Sequence, residues 1–286
     1  MNGNLKDLSP SFNDESATAR PDAMTEAEYQ RAFARMAHDY FSSKIPQENP
    51  VLVYITGLPG AGKSTFIDRQ LQAAPELKNY IHINFDDLRI YHPRYADHVS
   101  ADPVNAAARI DSAVERLIGW LTQEAASLKL NVLLDDAAMG GDITKAILQP
   151  FGDADYKIDA TVIAVPSAIA RQSVYLRFQE NLAAACKGDS VIPRWVNTEE
   201  QDNAPAALIE TAEALETGLA TSLAIVSRNG RSLAADKPSN AVRAEMTRDL
   251  SDLEQAEYLA KSRHIATLMG PAKTAPATSF KKKSGI

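Results

Sequence analysis

The run VLVYITGLPGAGKST, residues 51–65, constrains this chain more than any other stretch of it. Residues 51–55 are an apolar segment that reads as a buried parallel strand. The strand breaks at Thr56-Gly57, and a helical pattern resumes near Ser64. Between them, GLPGAGKS fits G-x-x-x-x-G-K-[ST] at every fixed position. A loop of this kind wraps a polyphosphate with its backbone N–H groups. Gly57, Gly60 and Gly62 allow backbone conformations that a Cβ forbids, with Leu58, Pro59 and Ala61 between them. The following helix adds the positive end of its dipole. Lys63 supplies a mobile charge for the β- and γ-phosphates, Ser64 a hydroxyl for Mg²⁺, and Thr65 completes the cradle. The motif needs a strand before it and a helix after it, and both are here. It predicts an α/β fold that binds a nucleotide.

Reading outward, residues 1–23 are rich in Asn, Asp, Ser and Pro without periodicity and are expected to be disordered. Thr25 and Glu28 form a capping box for a helix over 24–41. Tyr29, Phe33, Met36, Ala37 and Tyr40 make one apolar stripe on it, expected to pack on the following domain. Residues 46–50 link this helix to the first strand. The first helix after the loop runs to about residue 72. Strands are predicted at 80–84, 131–134, 159–165 and 222–226. A long helix follows Asp102-Pro103, a short one covers 143–148, and further helices cover 167–186 and 204–219. Residues 187–203 read as a polar loop, 240–263 as a peripheral helix, and the end of the chain as loose. Strands alternating with helices give a parallel sheet with helices on both faces. The expected organisation is a P-loop domain over 24–230, with an N-terminal helix, and a C-terminal helical appendage over 231–286.

Composition narrows the function classes. The chain has 286 residues, 45% of them apolar, and a formal net charge of −7. That balance disfavours nucleic acid as the main ligand, since such proteins usually carry a basic face. No apolar run approaches the length of a membrane span, and the N-terminus lacks the apolar core of a signal peptide. A cytoplasmic protein follows. The single cysteine, Cys186, excludes a disulfide frame and a cysteine metal site. It is expected to be a small buried residue near a helix end.

Phosphoryl transfer needs a phosphate cradle with Mg²⁺, an orienter or base for the acceptor, and cations for the transferring group. Asp86 and Asp87 stand at the end of the second strand, where ligands sit in open α/β sheets. Arg89, His92 and Arg94 follow in the same loop. Asp86 is the candidate base, and Asp87, Arg89 and His92 are candidate substrate contacts. Asp135 and Asp136 follow the third strand. Asp135 there is a candidate for the magnesium shell or the substrate. Arg177, on the helix after the fourth strand, and Arg194, in the next loop, are candidate lid arginines. Trp195 is either a lid anchor or a stacking surface.

Four of these segments resemble the zeta toxin family of P-loop kinases: GLPGAGKST, FDDLRIYHPRY, LLDDAAM, and Arg177 with Arg194 ahead of Asp202. The resemblance covers about residues 25–230. It implies ATP- or GTP-dependent phosphorylation of a sugar hydroxyl of UDP-N-acetylglucosamine. It also implies a small helical antitoxin that blocks the nucleotide site. Carried over by motif, Asp86 is the base. Lys63, Arg177 and Arg194 stabilise the γ-phosphoryl group. Asp135 takes the place of the family's strand-end Glu. The chain departs from the family on the acceptor side. Residues 135–139 read DDAAM where the family has E-G-T-x-R, and Gln201-Asp202 stands for a His-Asp pair. Another nucleotide sugar, a nucleotide or a nucleic acid end is an alternative acceptor, and a nucleotide-binding module without transfer activity is an alternative function.

Overall fold

The computed structural model describes residues 23–102, 105–187, 189, 191, 195–196 and 198–269. The expected disorder of residues 1–22, the loose tail over 270–286 and the placement of Arg194 lie outside them. Five strands form one sheet in the order β2-β3-β1-β4-β5, and every pairing is parallel. They are β1 (Val51–Gly57), β2 (Ile81–Asn84), β3 (Val132–Ala137), β4 (Lys157–Ile163) and β5 (Ser222–Val226). The helices are α1 (Glu26–Phe41), α2 (Lys63–Ala73), α3 (Phe85–Leu88), α4 (Tyr95–Ala101), α5 (Ala106–Ser127), α6 (Gly141–Asp153), α7 (Ser167–Cys186), α8 (Thr198–Ala214), α9 (Pro238–Thr247) and α10 (Asp252–Met269).

Strand order and handedness fix the layers. Parallel strands are joined by right-handed crossovers. The step from β1 to β2 runs one way along the sheet, and the steps from β2 to β3 and from β3 to β4 run the other way. Helix α2 therefore lies on one face, and α5 and α6 lie on the opposite face, where they pack on each other. The direction reverses between β1 and β3. The crevice outside the strand ends at such a reversal is the favoured ligand position. Leu52, Tyr54, Ile83, Leu134 and Val162, one or two from each of four strands, are wholly buried, as two covered faces require.

Helix α1 is built into this core. The Thr25 capping box forms, with the Thr25 N–H donating to Glu28 Oε2 at 2.7 Å and the Glu28 N–H donating to Thr25 Oγ1 at 3.3 Å. Tyr29 and Phe33 meet Trp120 of α5 edge-on, with ring centroids 5.9 and 5.6 Å apart. Met36 is fully buried beside them. The polar side of α1 holds the segment after β2. Arg94 Nη1 donates to Glu28 Oε1 at 2.8 Å, and Tyr91 Oη donates to Asp39 Oδ2 at 2.9 Å. The apolar stripe of α1 is thus satisfied within the chain.

Several boundaries differ from the sequence reading. Strand β3 continues through Asp135 and Asp136 to Ala137, because β1 and β2 offer backbone partners as far as those residues. Helix α8 begins at Thr198, earlier than Ala204, with Glu199 and Glu200 in its first turn, where the dipole favours acids. Residues 240–263 form parts of two helices. Of these, α9 puts Ala241, Val242 and Met246 into the common core, so burial does not stop at residue 230. Cys186 is exposed, contrary to expectation. The buried residues of α7 are Ala170, Gln172, Val174 and Phe178, and Cys186 at its C-terminal end is not among them.

Candidate functional site

Beyond the carboxyl ends of β1, β2 and β3 lies a cavity of about 730 Å³. Its floor is the loop between β1 and α2. Pro59, Gly60, Gly62, Lys63, Ser64 and Thr65 line it, whereas Leu58 and Ala61 turn inward and are buried. Gly60 and Gly62 take left-handed φ values of +82° and +97°. A Cβ on Gly60 would collide with the Ala170 carbonyl oxygen. The loop can therefore lie against α7 only because this position has no side chain. Gly62 caps α2, so the free N–H groups of that helix open onto the cavity. Lys63 Nζ donates to the Gly57 carbonyl at 3.1 Å, folded back over its own loop.

The back wall is the Asp135-Asp136 pair. Register places Asn84, Asp135 and Ile55 in one row across β2, β3 and β1, and Asp136 beside Thr56. Asn84 Nδ2 donates to Asp135 Oδ2 at 2.7 Å, while Asn84 Oδ1 accepts from the Asp86 N–H at 2.9 Å. One amide thereby fixes the spacing of the two strand-end acids. Tyr54 Oη donates to Asp136 Oδ2 at 2.8 Å. Burial pushes the Asp135 carboxyl above the usual range and that of Asp136 up to about 7, against the pull of Tyr54 and Lys63. The Tyr54 hydroxyl is pushed well up by the same burial and by Asp136. Asp135 Oδ1, Asp136 Oδ1 and Thr56 Oγ1 are buried without a hydrogen-bond partner. An orphaned carboxylate oxygen facing a phosphate cradle suits a cation held mainly by oxygen and water. No cluster of three or more His, Cys, Asp or Glu able to hold a metal exists among the described residues. Magnesium needs no such cluster, since it usually takes one or two carboxylates plus substrate phosphates.

The wall beside β2 carries Asp86. The Arg89 guanidinium pairs with Asp86 and also with Asp111 of α5, at 3.1 Å from the latter. Arg89 thus orients the candidate base. Asp111, Glu115 and Glu200 add acidity here, and burial raises the carboxyl pKa of each. Asp87 and His92 do not line the cavity, so their expected substrate contacts have no support. Asp87 is exposed. His92 is only 2% exposed, and its Nδ1 accepts from the Arg94 N–H at 3.3 Å. The H-P-x-Y part of the motif therefore packs the loop that carries Asp86.

The roof is α7 and the start of α8. Arg177 lines the cavity from α7, and Trp195 lines it from the loop beyond. Trp195 meets Tyr175 and Phe178 edge-on, with centroids 5.0 Å away in each case. These contacts anchor it to α7. The fold therefore gathers Lys63, Ser64, Asp86, Arg89, Asp135 and Arg177 around one space. The sequence reading missed Asn84, Asp111 and Arg228, which also line it. Asp111 and Glu115 stand one turn apart on a helix whose other side is apolar. Like charges so spaced are mutually unfavourable, and that was the signal available for them.

A model of the zeta toxin family matches residues 37–237, well over half of the chain. The chain belongs to the zeta toxin family. Toxin PezT of Streptococcus pneumoniae serotype 4 (strain ATCC BAA-334 / TIGR4) is a relative, 22% identical over 156 residues. The match takes in 54% of this chain and 61% of PezT, less than two thirds of that protein's length. Among solved structures, one from the PezAT chromosomal toxin-antitoxin system of S. pneumoniae superposes with a TM-score of 0.71 at 17% identity. It covers 87% of this chain and 100% of that one. The AvrRxo1-ORF1:AvrRxo1-ORF2 complex with sulphate ions gives 0.54 at 11% identity, over 90% and 86% of the two chains. The same pair with ATP gives 0.50 at 13%, over 84% and 82%. At these identities the likeness is one of fold. The zeta toxin match ends at residue 237 and so excludes α9 and α10.

Proposed function

We propose that this zeta toxin family member is a kinase that moves the γ-phosphoryl group of ATP or GTP to a hydroxyl of a nucleotide sugar such as UDP-N-acetylglucosamine. The observation that carries the reading is that Lys63, Asp135 and Asp86 line one cavity, from donor cradle to acceptor wall. The backbone N–H groups of residues 57–65 and Lys63 hold the donor phosphates. Asp86, oriented by Arg89, accepts the proton of the acceptor hydroxyl. Arg177 and Arg194 offer charge to the transferring group. Ser64 and Asp135 would hold Mg²⁺, which would neutralise phosphate charge when bound. Residues 24–230 carry this work, with 231–286 as an appendage, in the cytoplasm. No helix among the described residues is long and apolar enough to cross a membrane.

Purified protein incubated with Mg²⁺, ATP or GTP and UDP-N-acetylglucosamine is expected to yield an acceptor heavier by one phosphoryl group. Tight nucleotide binding with no phosphorylated product from any sugar nucleotide, nucleotide or nucleic acid end would instead support a binding module. The PezAT system pairs a toxin with an antitoxin, and we propose a small helical antitoxin for this chain as well. Growth arrest on expression, relieved by Asp86→Ala, supports a toxic role. Unimpaired growth at high wild-type level counts against it.

A further inference from the structure

Arg228 has no part in the transfer chemistry above. It sits in the turn just after β5, and its side chain lies along the phosphate loop. Its Nε is 3.2 Å, and its Cγ 3.4 Å, from where a Cβ on Gly62 would stand. Nη1 donates to Ser173 Oγ on α7 at 3.1 Å, and the Ser173 hydroxyl donates onward to the Ile169 carbonyl at 2.8 Å. The guanidinium is therefore held in place from one side. Among the described residues its charge is reached by Glu257 of α10, which forms no ion pair with it, and partial burial lowers its pKa. The residue is exposed, so a ligand entering the cavity can reach it.

Sheet order tells which part of a ligand that is. Asp86 follows β2, two strands from β1 on one side, and Arg228 follows β5, two strands from β1 on the other. A triphosphate lying in the loop with its γ-phosphoryl toward Asp86 has its nucleoside running toward β4 and β5. Lys63 and the loop N–H groups already serve the phosphates. We propose that Arg228 grips the nucleoside end of the donor, its guanidinium plane stacked on the base. The proposal rests on reading the loop as the donor site. Arginine suits the task because its planar, delocalised charge stacks on aromatic rings.

The test is isothermal titration of the full chain with Mg-ATP and, separately, with inorganic tripolyphosphate. Wild type, Arg228→Ala and Arg228→Lys are compared, with thermal melting of each as the check on folding. Arg228→Ala is expected to weaken ATP roughly tenfold and to leave tripolyphosphate unchanged. Arg228→Lys keeps the charge, loses the plane, and is expected to bind ATP as weakly as the alanine variant. It also serves as the test if the alanine variant does not fold. Equal loss for ATP and tripolyphosphate overturns the assignment to the nucleoside end, and full rescue by lysine overturns stacking. Unchanged ATP affinity in Arg228→Ala overturns the proposal while the donor site stands. Failure of the wild type to bind ATP, or GTP in its place, overturns the donor site itself, and the proposal with it.

Discussion

Replacing Asp136 by Asn should remove a pH dependence from the stability of the fold. Asp136 is 2% exposed, and burial, the largest influence on it, pushes its carboxyl from 3.8 up to about 7. A carboxyl whose pKa is higher in the folded state binds its proton more tightly there than in the unfolded chain. The folded state is thus favoured at low pH. That advantage is lost as pH rises from about 4 through about 7, at about 1.4 kcal/mol per unit. The shift spans about three units, so the whole loss is roughly 4 kcal/mol. Asn cannot titrate. Its carbonyl can still accept from Tyr54 Oη, and its amide can donate to Thr56 Oγ1, which is otherwise without a partner. The measurement is urea unfolding of both proteins between pH 4 and 8. The free-energy gap in favour of Asp136→Asn is expected to widen by roughly 4 kcal/mol across that range. A gap that stays flat would refute the argument that Asp136 is buried against its own charge.

Three further outcomes are expected. Lys63→Ala should abolish nucleotide binding or turnover, whereas Asp86→Ala should keep ATP affinity and lose transfer; an Asp86→Ala enzyme with full activity would remove it from the base role. Gly60→Ala should cost about 2 kcal/mol or more, since φ is +82° and the new Cβ meets the Ala170 carbonyl; an unchanged melting temperature would contradict this. Cys186 is exposed and should react with an aromatic disulfide reagent in the native protein at a rate close to that in denaturant; protection until unfolding would show that it is covered.

What could be read from the chain depended on how local the determining physics is. The β1–loop–α2 unit was legible because its glycines, its lysine and its apolar strand are contiguous and each answers a local demand. The capping box at Thr25 was legible for the same reason. The fate of His92 was not. A histidine before a proline beside two arginines looks equally apt for a ligand or for packing, and only the placement of α1 against that loop decides. Asp135 and Asp136 were read as following the third strand, and they lie within it. They are admitted here by Asn84 and Tyr54, which come from the neighbouring strands. Arg228 left a fainter trace. It is a cation directly after a strand of a parallel sheet, at the end where ligands bind.

The strand that bears the phosphate loop is also the strand that waits longest. β1 begins at Val51, yet its two neighbours are β3, from Val132, and β4, from Lys157. At ordinary translation rates of roughly 5–20 residues per second, several seconds to about twenty pass between synthesis of β1 and of its second partner. Pairings so distant in sequence also form slowly. Arg228 emerges later still. A ribosome-bound chain therefore carries the motif long before it carries a finished pocket. An activity harmful to its own cell would be withheld, by topology alone, until the protein is nearly made.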